Sequence, residues 1–198
     1  MNHSEDFIET YLSKPNKTAG YKLNEPRLEA KHTTDLDDID KFLSHHDYGV
    51  RANAASNTNA TTEHITKALN DKDKYVRISA VENPNCTSDN IDKALNDNEW
   101  VIRQRAIEKP NATPSHIDKA LNDESDNVRV SATNHPNATS EQIDKALNDS
   151  SWLVRGTAAR HTNATKEQLT KALNDEDSNV SIRATNNPNY DKFFPNGH

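Results

Sequence analysis

A four-residue motif, Ala-Leu-Asn-Asp, recurs along this 198-residue chain at a constant spacing of 26 residues. It stands at 68–71, 94–97, 120–123, 146–149 and 172–175. An arginine, an alanine and an asparagine keep the same period, at Arg51, Arg77, Arg103, Arg129 and Arg155, at Ala54, Ala80, Ala106, Ala132, Ala158 and Ala184, and at Asn59, Asn85, Asn111, Asn137, Asn163 and Asn189. A fixed period of this length is the signature of a repeat protein, in which each unit packs against its neighbours.

The period divides most of the chain into six units. With the divisions placed before the repeated threonines, the units are 35–60, 61–86, 87–112, 113–138, 139–164 and 165–190. The first unit is degenerate, since Phe42 and Leu43 stand in place of Ala-Leu, and the last has Ser181 in place of the arginine. Atypical end units are expected because one side of each terminal repeat faces solvent.

The segments outside the repeats are predicted to be caps. Residues 1–34 comprise one helix, about Glu5 to Leu12, followed by a loop, and its apolar side chains would cover the first unit. Residues 191–198 form a C-terminal tail, in which Phe193 and Phe194 would cover the last unit. The alternative for this tail is an exposed docking peptide.

Each unit is predicted to contain two short helices and no strand. The first begins after a threonine such as Thr61, whose hydroxyl can accept hydrogen bonds from free backbone N–H groups. Its apolar residues, Ile65, Ala68 and Leu69 in the second unit, have the i, i+3, i+4 spacing of one helical face. The second helix, about 76–81, stops before a proline. The predicted fold class is therefore an all-α solenoid of about six 26-residue two-helix repeats.

The composition agrees with a thin core shared between units. Only 32% of the residues are hydrophobic, and the mean hydropathy is −1.03. Cys86 is the only cysteine, which excludes an intramolecular disulfide and a cysteine-based zinc or iron–sulfur site. The N-terminus does not resemble a secretory signal, and no stretch approaches the roughly 18 apolar residues of a membrane span. We therefore expect a soluble, cytoplasmic protein without a membrane partner.

The string that runs from Val128-Arg129 through His135-Pro136-Asn137 to Ala146-Leu147-Asn148-Asp149 resembles the units of the leucine-rich repeat variant family, a relative of the HEAT-like helical repeats. The resemblance spans about residues 50–190 and implies a right-handed superhelix of alternating long and short helices. The period here, 26 residues, is longer than the family's usual one. Some members carry an N-terminal cysteine cluster that binds iron and sulfur, and that feature cannot be carried over to this sequence, which has no cysteine before Cys86.

The repeated arginine and the aspartate that ends each motif suit either a functional or a structural role. A functional site rarely recurs in every repeat, so we expect them to form a ladder of ion pairs and hydrogen bonds along the stack. The repeated asparagine, from Asn59 to Asn189, is expected to bond backbone groups of the loops.

Positions that vary between units are the candidates for partner binding, since packing does not fix them. Just before the predicted second helix, one register holds an aromatic residue in every second unit, at Tyr48, Trp100 and Trp152, and Tyr75 lies one place along in its own unit. Large amphipathic rings make good binding anchors. The alternative is that they pack on the adjacent repeat. If they are anchors, replacing both tryptophans should weaken partner binding more than it destabilises the fold.

Two further registers, on the second helix, vary in size and charge and contribute Arg105 and Arg160. They fit a partner-facing surface and equally fit neutral solvent positions. The predicted partner-binding residues are therefore Tyr48, Tyr75, Trp100, Trp152, Arg105 and Arg160.

No motif indicates catalysis, a metal or a cofactor. His45-His46-Asp47 has no further ligands at a fixed spacing, and His135 and His161 share a register but supply fewer ligands than a zinc site needs. The sequence contains no glycine-rich phosphate loop, nucleophile elbow or paired-carboxylate motif. We therefore expect a protein that is not an enzyme and binds neither metal nor cofactor.

These observations favour a non-catalytic scaffold that presents an extended solenoid surface to another protein. Because some HEAT-like solenoids bind DNA, nucleic-acid binding is one alternative. The balance of 24 basic against 31 acidic side chains, net −7, argues against it, since a protein that neutralises phosphates carries the opposite sign. The second alternative is an acidic inhibitor that occupies a nucleic-acid-binding partner.

Overall fold

The computed structural model describes residues 25–197, which contain fourteen helices and no strand. Each unit contributes two of them. The first helices are Leu36–Phe42, Thr62–Ala68, Ser88–Ala94, Pro114–Ala120, Ser140–Ala146 and Lys166–Leu173. The second helices are Tyr48–Ala55, Lys74–Glu82, Trp100–Ile107, Asp126–Thr133, Trp152–Arg160 and Ser178–Thr185. The two remaining helices, Glu25–His32 and Tyr190–Phe193, lie at the ends.

The repeated threonines cap the first helices as the sequence predicted. The backbone N–H of Gln142 donates to the hydroxyl of Thr139, and the Gln142 side chain accepts from the backbone N–H of Thr139, which completes a capping box. Gln168 does the same. His64, Asn90 and His116 occupy the corresponding position in the three preceding units, and each accepts the N–H of its threonine.

The second helices begin two residues earlier than the periodicity predicted, at Lys74 rather than at Val76 in the second unit. The carboxylate of Asp73 accepts the backbone N–H of Tyr75 and starts this helix, a cap that the sequence analysis did not recognise. Tyr48, Trp100 and Trp152, which were predicted to precede their helices, are therefore the first residues of them. The prediction that they stand just before the second helices was therefore wrong.

The core is a continuous column of small and branched side chains between the two layers of helices. The first helices contribute fully buried isoleucine or leucine at Ile39, Ile65, Ile91, Ile117, Ile143 and Leu169, and the second helices contribute Val50, Val76, Ile102, Val128, Val154 and Val180. The repeated alanine, for example Ala80, is also fully buried. Its small side chain lets neighbouring second helices approach closely, which explains why it keeps its register.

The two layers pack differently along the stack. Each second helix packs against the second helices of the neighbouring units, whereas successive first helices have few contacts with one another. We call the layer of second helices the inner layer and the layer of first helices the outer layer. This arrangement confirms an all-α solenoid of two-helix repeats.

The ends are covered differently. Glu25–His32 packs against Tyr48–Ala55 as one more second helix, so the inner layer extends half a unit beyond the repeats. The sequence did not predict this helix, and the helix predicted at about 5–12 lies outside the described residues. At the other end Phe193 and Phe194 pack against the core, as expected of a cap. Within residues 25–197, no helix is long and apolar enough to cross a membrane.

Candidate binding surface

The repeated arginine and aspartate form a ladder that joins consecutive units. The Arg103 guanidinium, on a second helix, donates from Nε and Nη2 to the two carboxylate oxygens of Asp123 in the next unit, at 2.7 and 2.8 Å. Its Nη1 donates to the backbone carbonyl of Asp97 in its own unit. The same pairing joins Arg51 to Asp71, Arg77 to Asp97, Arg129 to Asp149 and Arg155 to Asp175. The structural role predicted for these residues is confirmed.

Each aspartate of this Arg–Asp ladder is also tied to its own turn. Oδ1 of Asp123 accepts the backbone N–H of Ser125. Burial raises the pKa of Asp123, but the hydrogen bonds from Arg103 and from Ser125 outweigh it, so the pKa lies below the ordinary aspartate value. The pKa of Asp175 is lowered chiefly by its hydrogen bond from Arg155. These carboxylates are therefore ionised acceptors, as an ion-pair ladder requires.

At each end of the Arg–Asp ladder one of the two repeated residues is replaced by another type. His45 stands in the first unit where the later units have aspartate, and its Nδ1 accepts the backbone N–H of Asp47 as Asp71 accepts that of Asp73. In the last repeat, Ser181 stands where the others have arginine.

Two further sets of side chains bond the loops of consecutive units. The repeated asparagines donate to loop carbonyls of the preceding unit, as when Nδ2 of Asn85 donates to the carbonyl of Thr58 at 2.8 Å. This confirms the role predicted for them. The second set, which the sequence analysis missed, lies two residues earlier and also reaches back into the preceding unit, at Asn57, Asn83, Lys109, His135, His161 and Asn187.

This second register accounts for two of the histidines considered as metal ligands. Nδ1 of His161 accepts the backbone N–H of Asn163, and Nε2 faces the carbonyl of His135 at 3.2 Å. His135 makes the equivalent contacts with Asn137 and Lys109. Both rings are buried. Among residues 25–197, no group of three histidine, cysteine or acidic side chains could share a metal ion.

Cys86 does not supply a reactive site in this surface. Its side chain is buried beside the loop that joins two units. Burial raises the pKa of the Cys86 thiol, which keeps it protonated and unreactive.

The second helices present one surface that neither the core nor the bonded loops cover. In the second unit this surface consists of Tyr75, Ile78, Ser79 and Glu82, whose spacing of three and four residues places them on one side of the helix. We call these positions and their equivalents in the other units the inner face. Arg105 and Arg160 belong to it, so the variable registers of the sequence lie together.

Three of the four predicted aromatic anchors are exposed. Tyr48, Tyr75 and Trp100 expose 48, 56 and 41% of their surface, respectively. The rings of Tyr48 and Tyr75 lie 6.1 Å apart, although they belong to different units. We call these three residues, at the starts of three consecutive second helices, the aromatic edge of the inner face.

Trp152 lies in a different environment. It packs against the core and is only partly exposed, and the Arg183 guanidinium of the next unit lies 5.1 Å from its ring centroid. The alternative considered for the aromatics, packing on the adjacent repeat, describes this residue.

The two predicted arginines also differ. Arg105 lies 3.6 Å from the carboxylates of both Glu82 and Glu108, so its charge is balanced on the inner face itself. Arg160 is exposed at the end of its helix and makes no ion pair or side-chain hydrogen bond with any described residue. The inner face therefore has a charge-balanced part in the third unit and an unbalanced cation in the fifth.

Comparison with solved structures finds chains of similar fold. The chain is similar to the solved structure of a leucine-rich repeat variant described as having a novel repetitive structural motif, with 18% sequence identity and a TM-score of 0.47. The match covers 76% of this chain and 70% of that one. No family model and no curated protein sequence matches the chain.

Proposed function

We propose that this chain is a non-catalytic scaffold that binds another protein through the inner face of its second helices, with the aromatic edge as the anchor. The observation that supports this is the exposure of Tyr48, Tyr75 and Trp100 on three consecutive units. Large aromatic side chains are enriched among the residues that dominate binding energy at protein interfaces. Exposed together on a polar surface, they are typical of an interaction site.

The ion pairs of the repeated arginines favour a protein partner over a nucleic acid. All five repeated arginines are bound to aspartates of the next unit and to carbonyls of their own turn. Phosphate binding would need these guanidinium groups to be free. We place the scaffold in the cytoplasm, because a chain with one cysteine lacks the disulfide framework that is common in small secreted domains.

The test is capture of partners from lysate of the native cell by the tagged chain, with and without nuclease, followed by mass spectrometry. We expect a protein that survives nuclease and is lost with the variant Tyr75→Ala/Trp100→Ala. The matched control is Leu36→Ala, which removes a side chain of similar exposure, 46%, from the outer layer and should retain the partner.

Each other outcome argues against the proposal. Loss of the partner on nuclease treatment would indicate that nucleic acid carries the interaction. Capture of a nucleic-acid-binding protein whose own activity is blocked would favour the acidic inhibitor. Equal capture by both variants would remove the aromatic edge from the binding site, and capture of nothing would contradict the scaffold.

A further inference from the structure

Two arginines on the inner face have no carboxylate partner. Every other arginine in residues 25–197 pairs with one, namely Arg27, Arg51, Arg77, Arg103, Arg105, Arg129 and Arg155. Arg160 and Arg183 do not, and they lie on the second helices of adjacent units. In a chain of net charge −7, two neighbouring unpaired cations are not explained by a shortage of acidic side chains.

Arg183 is held in place by its neighbours. Its guanidinium lies over the ring of Trp152, and its aliphatic part lies against Gly156. A Cβ at residue 156 would stand 2.7 Å from Cδ of Arg183, so the glycine provides the space in which this side chain lies. Stacking on an aromatic ring leaves the edge of a guanidinium, with its N–H donors, free for an acceptor.

Apart from the two arginines, the inner-face positions of the fourth to sixth units carry apolar, hydroxyl or amide side chains or glycine, and none of them is a carboxylate. The inner face of the last three units carries Val130, Leu153 and Ile182, of which Ile182 is 56% exposed. Its polar positions are serine, threonine and asparagine, such as Thr157 and Asn134. An open depression on this face is lined by Glu108, Val130, Ser131, Asn134, His135, Pro136 and Thr157.

The single acid of that depression is already engaged. Glu108 accepts hydrogen bonds from Gln104 and from Ser131, both at 3.0 Å, and lies 3.6 Å from Arg105. It therefore does not neutralise Arg160. The inner face of the fourth to sixth units is a positively charged, partly apolar strip, on a protein whose other arginines are balanced.

We propose that this strip binds an extended acidic segment of a partner protein, with carboxylates on Arg160 and Arg183 and an apolar side chain over Val130 and Leu153. Guanidinium groups form strong, paired hydrogen bonds with carboxylates. The combination of two cations with the half-buried Val130 and Leu153 and the exposed Ile182 fits a peptide with mixed acidic and apolar residues. A nucleic acid would meet only these two free arginines and the repulsion of an acidic protein. This inference rests on the proposed scaffold function and specifies a second contact, separate from the aromatic edge.

The experiment is selection of a displayed library of random dodecapeptides on the purified full chain. We expect the enriched peptides to carry an excess of aspartate and glutamate together with a large aliphatic residue. A synthetic peptide of the enriched sequence should bind at least tenfold more weakly to Arg160→Glu/Arg183→Glu, and its affinity for the wild type should fall with added salt. Lys93→Glu, a single reversal of charge in the outer layer, should leave its affinity unchanged.

Loss of Arg183 could disturb the packing of Trp152, so the single variant Arg160→Glu is measured as well. Arg160 makes no ion pair or side-chain hydrogen bond with a described residue, so this single change should weaken peptide binding several-fold. The urea midpoint should fall only slightly, because the change places an anion in the last turn of a helix. Enrichment of neutral or basic peptides, no enrichment, or equal binding to Arg160→Glu would each overturn the inference. DNA binding is measured separately, by gel shifts with single-stranded and duplex oligonucleotides. Binding of DNA that is lost in the same variants would assign the strip to nucleic acid instead.

Failure of this inference and failure of the scaffold give different results. A cellular partner captured through Tyr75 and Trp100 that binds Arg160→Glu/Arg183→Glu with unchanged affinity would remove only the acidic-segment site. Absence of any captured protein would contradict the scaffold, whatever the peptide selection shows.

Discussion

The Arg103 guanidinium and the Asp123 carboxylate form two parallel hydrogen bonds, at 2.7 and 2.8 Å, between the second helix of one unit and the turn of the next. Only 8 and 9% of the two side chains are exposed. Because the arginine also donates to the carbonyl of Asp97 in its own turn and the aspartate accepts the backbone N–H of Ser125, the pair fixes the position of one repeat on the next. Repeated along the stack, this geometry links units that have small individual cores.

Replacing Asp123 with alanine should lower the free energy of unfolding by about 3 kcal/mol, because the change leaves a buried guanidinium without its counter-charge. The double variant Arg103→Met/Asp123→Leu should be more stable than the sum of the single changes indicates, since neither charge then remains buried alone. Urea denaturation followed by circular dichroism measures both.

The matched control for this pair is the exposed contact between Lys67 and Asp40, at 2.7 Å. Asp40→Ala should cost less than about 1 kcal/mol because solvent screens that pair. A cost for Asp123→Ala as small as that of Asp40→Ala would show that the ladder does not stabilise the stack.

Acid should destabilise the protein only below about pH 4 through the Arg–Asp ladder. The pKa values of Asp71, Asp123 and Asp175 are lower in the folded chain than the ordinary value of 3.8. Such groups bind protons more readily in the unfolded chain, so their contribution is complete above 3.8 and disappears as the pH falls through the lower folded values. Urea midpoints measured from pH 7 to pH 2 test this.

The variant Asp123→Asn serves as the comparison for the acid series. It should be less stable than the wild type at pH 7 but should lose less stability between pH 4 and pH 2, because it lacks one of the groups that titrate. A decrease that is complete above pH 4 would show that the Arg–Asp ladder does not carry the pH dependence.

The sequence predicted the features that depend on a repeated residue type. The threonine caps, the buried residues of the first helix and the bonding role of Asn85 each follow from the local chemistry of one residue type. Periodicity also showed that Arg103 and Asp123 belong to one ladder. It could not show that the arginine pairs with the following unit and not with Asp97 of its own, because that depends on how the units stack.

The features that were missed have no repeated identity. Asn83, Lys109 and His135 occupy one register and reach the preceding unit in the same way, but their types differ, so the register did not appear as a motif. The helix Glu25–His32 has no Ala-Leu-Asn-Asp motif before it. The difference between Trp100 and Trp152 arises from Arg183, one unit further along the chain.

His161→Asn should leave the free energy of unfolding within about 0.5 kcal/mol of the wild type. Asparagine can make both hydrogen bonds of the His161 ring, one to a backbone N–H and one to a carbonyl. Asn187, in the same register, accepts the N–H of Asn189 through Oδ1 and donates through Nδ2 to carbonyls of the preceding unit. His161→Ala should cost about 1–3 kcal/mol because it leaves the N–H of Asn163 and the carbonyl of His135 without their partner. Equal losses for the two variants would indicate that His161 contributes through its volume alone.

Alanine variants of the two tryptophans should affect different quantities: Trp100→Ala should weaken partner binding, and Trp152→Ala should lower stability. Trp100→Ala should cost less than about 1 kcal/mol of folding free energy, because the ring is 41% exposed, but should weaken partner binding at least tenfold. Trp152→Ala should cost about 2 kcal/mol, since it removes a ring that packs against the core and beneath Arg183. Trp152→Tyr should recover most of that loss by restoring an aromatic face. Urea denaturation and titration with the captured partner measure the two quantities, and a larger loss of stability for Trp100→Ala than for Trp152→Ala would contradict the separate roles of the two rings.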